Sequence, residues 1–415
     1  MDRREFLQLA TISSLSFLLP GTRGWCFSDG KPPENQSKRL IVILLRGAID
    51  GLNVVAPYAD SHYYDLRPKI GIPAPGSVDG LLDLDGHFGL NPAAQALMPY
   101  WCDKRLAFVH ASGSPDPSRS HFQAQDYMET GMPGQASAST GWLNRLVAEL
   151  PAKQSGVRAL SIGPILPRIC SGTQSFASLS NRIEPQKSSL DTPEVATLFE
   201  GLYNNKKDEL GRAFSEGMAA HHEINDELIQ AKVDEEQVAA NHGAPILRAG
   251  DPFGRKLASL LKKAPSIRVV FLDFGGWDTH VNQGTGVGNL ARRLSPLAGG
   301  LADLATGLGP FFKDSTIVLL SEFGRTAAQN VNNGTDHGHG NVMWLLGGDV
   351  AGGKVYGRWN GLSPSALYQA RDLPTTTDFR AVLSQVIGEQ MGVSTAGVSR
   401  IFPGFKSTVN PFVRT

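Results

Sequence analysis

The sequence predicts a layered α/β fold with a mostly parallel central sheet and a helical insertion. Three observations predict it: short apolar runs recur along the chain, helical stretches separate them, and one long charged stretch breaks the rhythm. A continuous β-branched and leucine run of strand length reads as a strand buried on both faces, as in a parallel sheet. Strands alternating with helices then imply right-handed crossovers.

The first strand is Leu40-Ile41-Val42-Ile43-Leu44-Leu45, and similar runs follow at 106–110, 267–274, 316–321 and 342–346. Helical patterns occupy 92–100, 123–130, 288–312 and 378–391. Residues 193–263 are rich in Ala, Glu, Lys and Gln and carry a helical pattern without a strand. They are expected to form an insertion or cap, at 193–265, between a first part of the α/β domain at 39–192 and a second at 266–415. Its paired His221 and His222 would point about 100° apart on a helix, so they read as solvated rather than as shared ligands.

Ahead of the fold, Met1-Asp2-Arg3-Arg4-Glu5-Phe6-Leu7 places an arginine pair before an apolar, Ser/Thr-rich run. This resembles a twin-arginine export signal over residues 1–28, with a linker at 29–38. It implies transport by the twin-arginine export machinery to a periplasmic or extracellular location. No later apolar stretch is long enough to span a bilayer, so no membrane association is expected after signal cleavage. Cys26, Cys102 and Cys170 form no CxxC pair, which gives zinc-thiolate and redox motifs no support; a Cys102–Cys170 disulfide fits an oxidising compartment.

The 39 Lys+Arg against 39 Asp+Glu argue against a nucleic-acid partner held by phosphate neutralisation. With 41% hydrophobic residues the chain can fill a substantial core. Its 46 Gly and 26 Pro place much of it in loops, where binding and catalytic residues concentrate.

In open α/β sheets, ligands bind beyond the carboxyl ends of the strands. The first strand is followed by Arg46-Gly47-Ala48-Ile49-Asp50-Gly51, and the second by a Ser-rich loop reaching Ser118-Arg119-Ser120-His121. The third is followed by Gly275-Gly276-Trp277-Asp278-Thr279-His280, and the fourth by Glu322-Phe323-Gly324-Arg325-Thr326. Asp336-His337-Gly338-His339-Gly340 stands just before the fifth. Carboxylates and imidazoles gathered without thiolates suit Zn, Mn, Fe or Mg. The candidate metal ligands are Asp50, Asp278, His280, Glu322, Asp336, His337 and His339, enough for two divalent ions.

These ordered motifs resemble the exported DUF1501 family, within the alkaline phosphatase and sulfatase superfamily. The resemblance implies a three-layer alkaline-phosphatase-like fold. It assigns Asp50 to a metal, makes Ser118 or Ser120 the hydroxyl nucleophile, and matches Asp278 and His280 to an Asp-x-x-x-His ligand pair with shorter spacing. Glu322 then stands where an Asp-His pair would be, keeping the acid and losing the imidazole, while His337 and His339 compete for the last histidine. The sulfatase pattern is echoed at Pro115-Asp116-Pro117-Ser118-Arg119, but Pro115 occupies the place of the modified residue, which excludes formylglycine chemistry there.

The expected activity is metal-dependent hydrolysis of a phosphate or related oxyanion ester, small molecule or polymer. Ser120 is the first candidate nucleophile, at a helix N-terminus that favours anions, and Ser118 the second. Either Ser could instead be a helix cap. Arg119 or Arg325 would stabilise the transferring group, and His121 would ligate metal or act as general acid. The alternative is a non-catalytic exported protein that keeps the scaffold for binding, with a secreted protein or envelope polymer as partner.

Overall fold

The computed structural model describes residues 38–135, 138–151, 157–163, 165–179 and 240–406. The signal and linker expected at 1–28 and 29–38, except Lys38, lie outside the described residues, as do His221, His222 and most of the insertion. Twelve strands are present among the described residues: β1 (Arg39–Leu45), β2 (Val55–Ala56), β3 (Leu82–Asp83), β4 (Gly89–Leu90), β5 (Leu106–Gly113), β6 (Ala159–Ile162), β7 (Ala177–Leu179), β8 (Val269–Phe274), β9 (Ser315–Leu320), β10 (Asn341–Gly347), β11 (Lys354–Tyr356) and β12 (Thr377–Asp378).

The central sheet runs β11-β5-β10-β9-β1-β8-β6-β7, with β12 beside the end of β5. Its pairings are parallel except that β10 is antiparallel to both β5 and β9. A second sheet, β2-β4-β3, is small and antiparallel. The fold is therefore mixed α/β with a mostly parallel central sheet, as the buried runs predict.

Alternation along β1 divides the core into two layers, because successive side chains of a strand point to opposite faces. Ile41, Ile43 and Leu45 join Leu257, Leu261, Leu294, Leu301 and Leu304 on one face. Leu40, Val42 and Leu44 join Trp142, Leu146, Phe379, Val382, Val398 and Ile401 on the other. The first layer rests on the helices Phe253–Lys263 and Asn289–Leu308, the second on Trp142–Glu149, Phe379–Gln385 and Thr395–Ile401. The helix Phe253–Lys263, which the sequence pattern places at the end of the insertion, thus contributes Phe253, Leu257 and Leu261 to the main core.

Local chemistry interrupts the helices expected at 288–312 and 92–100. Gly309, at φ 54° and ψ −125°, ends Asn289–Leu308, a positive-φ conformation that glycine adopts without Cβ strain. The pattern at 92–100 becomes a 3₁₀ segment, Pro92–Leu97, followed by Met98–Cys102, with Ala94 off helical geometry. The disulfide that the sequence allows is not formed. Cys102 is an exposed free thiol at the end of Met98–Cys102, whereas Cys170 is a buried free thiol in the core layer on the opposite face of the sheet.

His110, in the middle of β5, is enclosed: its Nε2–H donates to the Val55 carbonyl at 2.8 Å and its Nδ1 accepts from the Ala111 N–H at 3.2 Å. Burial pushes the imidazole down to about 4. The unfolded chain therefore binds the extra proton first, so the neutral histidine contributes fully above about pH 6.5 and loses its contribution as pH falls toward 4. The expected loss across that window is about 3 kcal/mol. Urea unfolding between pH 7 and pH 4 is expected to show a steeper decline for the native protein than for His110→Phe; equal slopes would refute this.

Candidate functional site

Antiparallel pairing of β10 decides where the functional residues meet. Asn341 at its start pairs with Ser112 near the end of β5. The loop that precedes β10 thus lies at the same edge as the ends of β1, β5, β8 and β9. Two of these loops are joined by backbone: Gly324 N–H donates to His339 O at 2.7 Å, Gly338 N–H to Gly324 O at 2.8 Å, and Thr326 N–H to Asp336 O at 2.9 Å. Glycine is required at this crossing, because a Cβ on Gly324 would collide with the Gly340 carbonyl.

Three imidazoles and one carboxylate converge there. His337 Nε2 lies 3.1 Å from His121 Nε2 and 3.0 Å from His280 Nε2. Asp278 Oδ1 lies 3.0 Å from His280 Nε2 and 3.4 Å from His337 Nε2, and Oδ2 lies 3.5 Å from His121 Nε2. Among the described residues, His121, Asp278 and His337 are the one group whose ligand atoms all lie within 4.8 Å of one another.

Each of these histidines has its other ring nitrogen held by an oxygen. His121 Nδ1 lies 2.7 Å from Glu322 Oε1, His280 Nδ1 3.3 Å from Asp336 Oδ1, and His337 Nδ1 3.0 Å from the Arg119 carbonyl. Carboxylates and carbonyls only accept, so each Nδ1 is the donor and a neutral ring presents its Nε2 lone pair to the centre. Such outer partners fix the tautomer and orientation of metal-binding histidines. Imidazole nitrogens of His121 and His280 each about 3 Å from His337 Nε2, with a carboxylate beside them, suit a cation, and this nitrogen and oxygen donor set fits a divalent ion such as Zn, Mn or Fe.

Electrostatics agree with that fit. Burial pulls His121 down, yet hydrogen bonds with Asp278 and Glu322 raise it to about 9. Burial would raise Asp278, but its contacts with His121, His280 and His337, together with the Arg325 guanidinium, hold it well below the usual carboxylate range. Burial likewise opposes Glu322, which hydrogen bonds from His121 and Gln125 keep at about 2.

The other sequence candidates occupy distinct roles. Glu322 is fully buried behind His121, accepting also from Gln125 Nε2 at 2.9 Å, Gly47 N–H at 2.8 Å and Ser321 Oγ at 2.9 Å. Asp336 supports His280 from a more exposed position and accepts from Asn330 at 3.0 Å. Asp50 is paired with Arg67, at 2.6 and 3.1 Å, and accepts from Gln283 at 2.6 Å. His339 binds Asp372 at 2.7 Å and the Pro117 carbonyl at 3.1 Å. Arg325 is buried with its Nη1 on Asp278 Oδ1. Ser120 is an exposed N-cap residue of the helix His121–Thr130 whose hydroxyl makes no cap bond. Ser118 donates its hydroxyl to Gln123 at 2.9 Å. Arg119 bonds Asp372 through Nε at 3.1 Å and Nη2 at 2.6 Å.

Sequence reasoning missed Gln125, Arg67, Gln283, Arg371 and Asp372. Gln125 could have been found, since it stands one helical turn after His121 and shares its face. Arg371 and Asp372 follow no apolar run, and nothing local marks them.

The chain is similar to several solved structures at low identity. The C-terminal periplasmic domain of EcEptC from Escherichia coli is 10% identical, with 91% of this chain and 90% of that one covered and a TM-score of 0.39. The lipoteichoic acid synthase LtaP from Listeria monocytogenes is 9% identical, with 87% and 73% covered and a TM-score of 0.36. A protein in the alkaline phosphatase superfamily from Vibrio parahaemolyticus is 13% identical, with 86% and 71% covered and a TM-score of 0.34. No curated protein matches the sequence. Residues 37–402 match the family described as "Protein of unknown function (DUF1501)", and the chain belongs to that family.

Proposed function

We propose that the protein is a hydrolase of phosphate or related oxyanion esters that depends on one divalent metal ion. The observation that carries this reading is the meeting of His121, His280 and His337 Nε2 with Asp278, each histidine held from behind by an oxygen. His121, Asp278 and His337 would hold the ion, with His280 beside them. A bound divalent ion supplies Lewis acidity to the ester oxygens and lowers the pKa of an attacking hydroxyl or water.

The chain's own residues do the rest. Glu322, Asp336 and the Arg119 carbonyl orient the imidazoles. Ser120, exposed beside His121 at the helix start, is the nucleophile in this reading, and Ser118 is its neighbour in reserve. Asp50 and His339 have their own partners, Arg67 and Asp372, which favours one ion over two. The N-terminal arginine pair makes the twin-arginine route to the periplasm or exterior part of the proposal. Among the described residues no helix is long and apolar enough to cross a membrane.

A second reading has an observation of its own. Asp50 and Asp278 each face a buried arginine, Arg67 and Arg325, as in a site kept for binding rather than chemistry. The test is metal content and hydrolysis of aryl phosphate and aryl sulfate by the purified protein. About one equivalent of Zn, Mn or Fe is expected, with hydrolysis lost on chelation and restored on reloading. Failure to take up any of these metals, with no hydrolysis, would leave the binding-protein reading.

A further inference from the structure

We infer that Arg119 and Arg371 form an oxyanion-binding subsite beside the histidine cluster, with Asp372 as the residue that positions both guanidiniums. Asp372 is wholly buried yet faces three donors. Its Oδ2 accepts from Arg119 Nη2 at 2.6 Å, from His339 Nδ1 at 2.7 Å and from Arg371 Nη1 at 3.2 Å, and its Oδ1 accepts from Arg371 Nη1 at 2.9 Å. One carboxylate therefore meets two guanidiniums, and a positive charge is left over at this place.

The two arginines are not buried with their anchor. Their side chains are 33% and 40% exposed, so donors remain toward solvent. Arg119 Nη2 also reaches Gln369 Oε1 at 3.2 Å. Among the described residues, no protein acceptor meets Arg119 Nη1 or Arg371 Nη2. A planar guanidinium with free N–H groups matches two oxygens of a phosphate or sulfate group.

The pair is tied to the metal-binding residues by backbone. Arg119 gives its carbonyl to His337 Nδ1, and Arg371 Nη1 donates to the His337 carbonyl at 3.0 Å. The turn that presents Arg371 is held rigidly: Tyr368 and Asp372 exchange both backbone hydrogen bonds, at 2.8 and 3.0 Å. Gln369 and Ala370 within it both adopt positive φ, 53° and 54°, a costly conformation for non-glycine residues that marks many ligand-clamping turns. The ligand is the tetrahedral oxyanion of an ester, phosphoryl or sulfuryl, held by the two arginines with its ester oxygen toward the histidines.

This inference deepens the hydrolase reading and rests on it for the reaction, though not for the binding. Its test is calorimetric titration of inorganic phosphate and, separately, inorganic sulfate into the full-length purified protein, with metal content measured on the same samples. The Arg119→Gln/Arg371→Gln double variant is expected to bind at least about tenfold more weakly, the size of losing charged hydrogen bonds, while retaining its metal. Arg371→Lys keeps the charge and loses the fork, so it is expected to be intermediate, with an unchanged unfolding midpoint. Tighter phosphate than sulfate would identify a phosphoryl ligand, and the reverse a sulfuryl one. Undiminished binding of both anions to the double variant, or no binding of either to the native protein, would overturn the subsite. Arginine-dependent anion binding by a protein that takes up no metal would keep the subsite and reject the metal-dependent hydrolase.

Discussion

Replacement of His337 by alanine is expected to abolish metal binding and leave the fold intact. His337 Nε2 is the hub of the cluster, within 3.4 Å of His121, His280 and Asp278. Without it His121 and His280 lose the nitrogen that links them, and a site with one fewer ligand is expected to bind at least about a hundredfold more weakly. The metal-free variant should unfold at or above the native midpoint, because three crowded imidazoles become two. Ligand linkage makes the difference visible: a metal at about 100 times its dissociation constant stabilises the native protein by about 2.7 kcal/mol. Thermal unfolding with and without Zn²⁺ or Mn²⁺ is the measurement. The native protein is expected to shift upward, His337→Ala to show no shift, and His339→Ala, whose ring faces Asp372, to keep it. A shift retained in His337→Ala would reject the assignment.

The contrast between His337 and His339 marks the limit of what spacing can decide. Two residues apart, they are equivalent candidates in sequence, and alternation sends them to opposite sides of the loop. The strands that frame them were legible because β1, β5, β8, β9 and β10 are buried on both faces and read as unbroken apolar runs. The direction of β10 was not legible, since a buried run looks the same whichever way it points. Yet that direction is what brings a loop preceding a strand to the edge where the other strands end.

Asp50 shows a different limit. Its place after β1 is where the family resemblance assigns a ligand, but its two oxygens face Arg67 and Gln283. Arg67 comes from the end of a short helix 17 residues later and Gln283 from a loop 233 residues later, so no local pattern announces either partner. Asp372 is harder still. It lies in a loop with no preceding strand, and its importance follows only from burial among His339, Arg119 and Arg371. Where a charge needs a partner from a distant segment, the sequence exposes the charge and conceals the partner.

Arg325→Met should then have opposite consequences in the metal-free and metal-bound protein. Arg325 is buried, with Nη1 on Asp278 Oδ1, Nε on Thr335 Oγ1 at 3.1 Å and Nη2 on the Thr335 carbonyl. Removing one member of a buried ion pair costs about 3–5 kcal/mol, because the other charge stays in a poorly solvating place. In the metal-free protein that cost is expected in full, less whatever His121 returns as an imidazolium. A dication bound by His121 and His337 would lie against the same carboxylate and replace the lost charge. It would also be relieved of repulsion from the guanidinium. The variant is therefore expected to unfold well below the native protein without metal, to gain more from Zn²⁺ or Mn²⁺ than the native protein does, and to bind the ion at least as tightly. Chemical denaturation in chelator and in saturating metal separates the terms. An equal deficit under both conditions would mean that the ion does not touch Asp278, and the ligand set would have to be redrawn around the histidines alone.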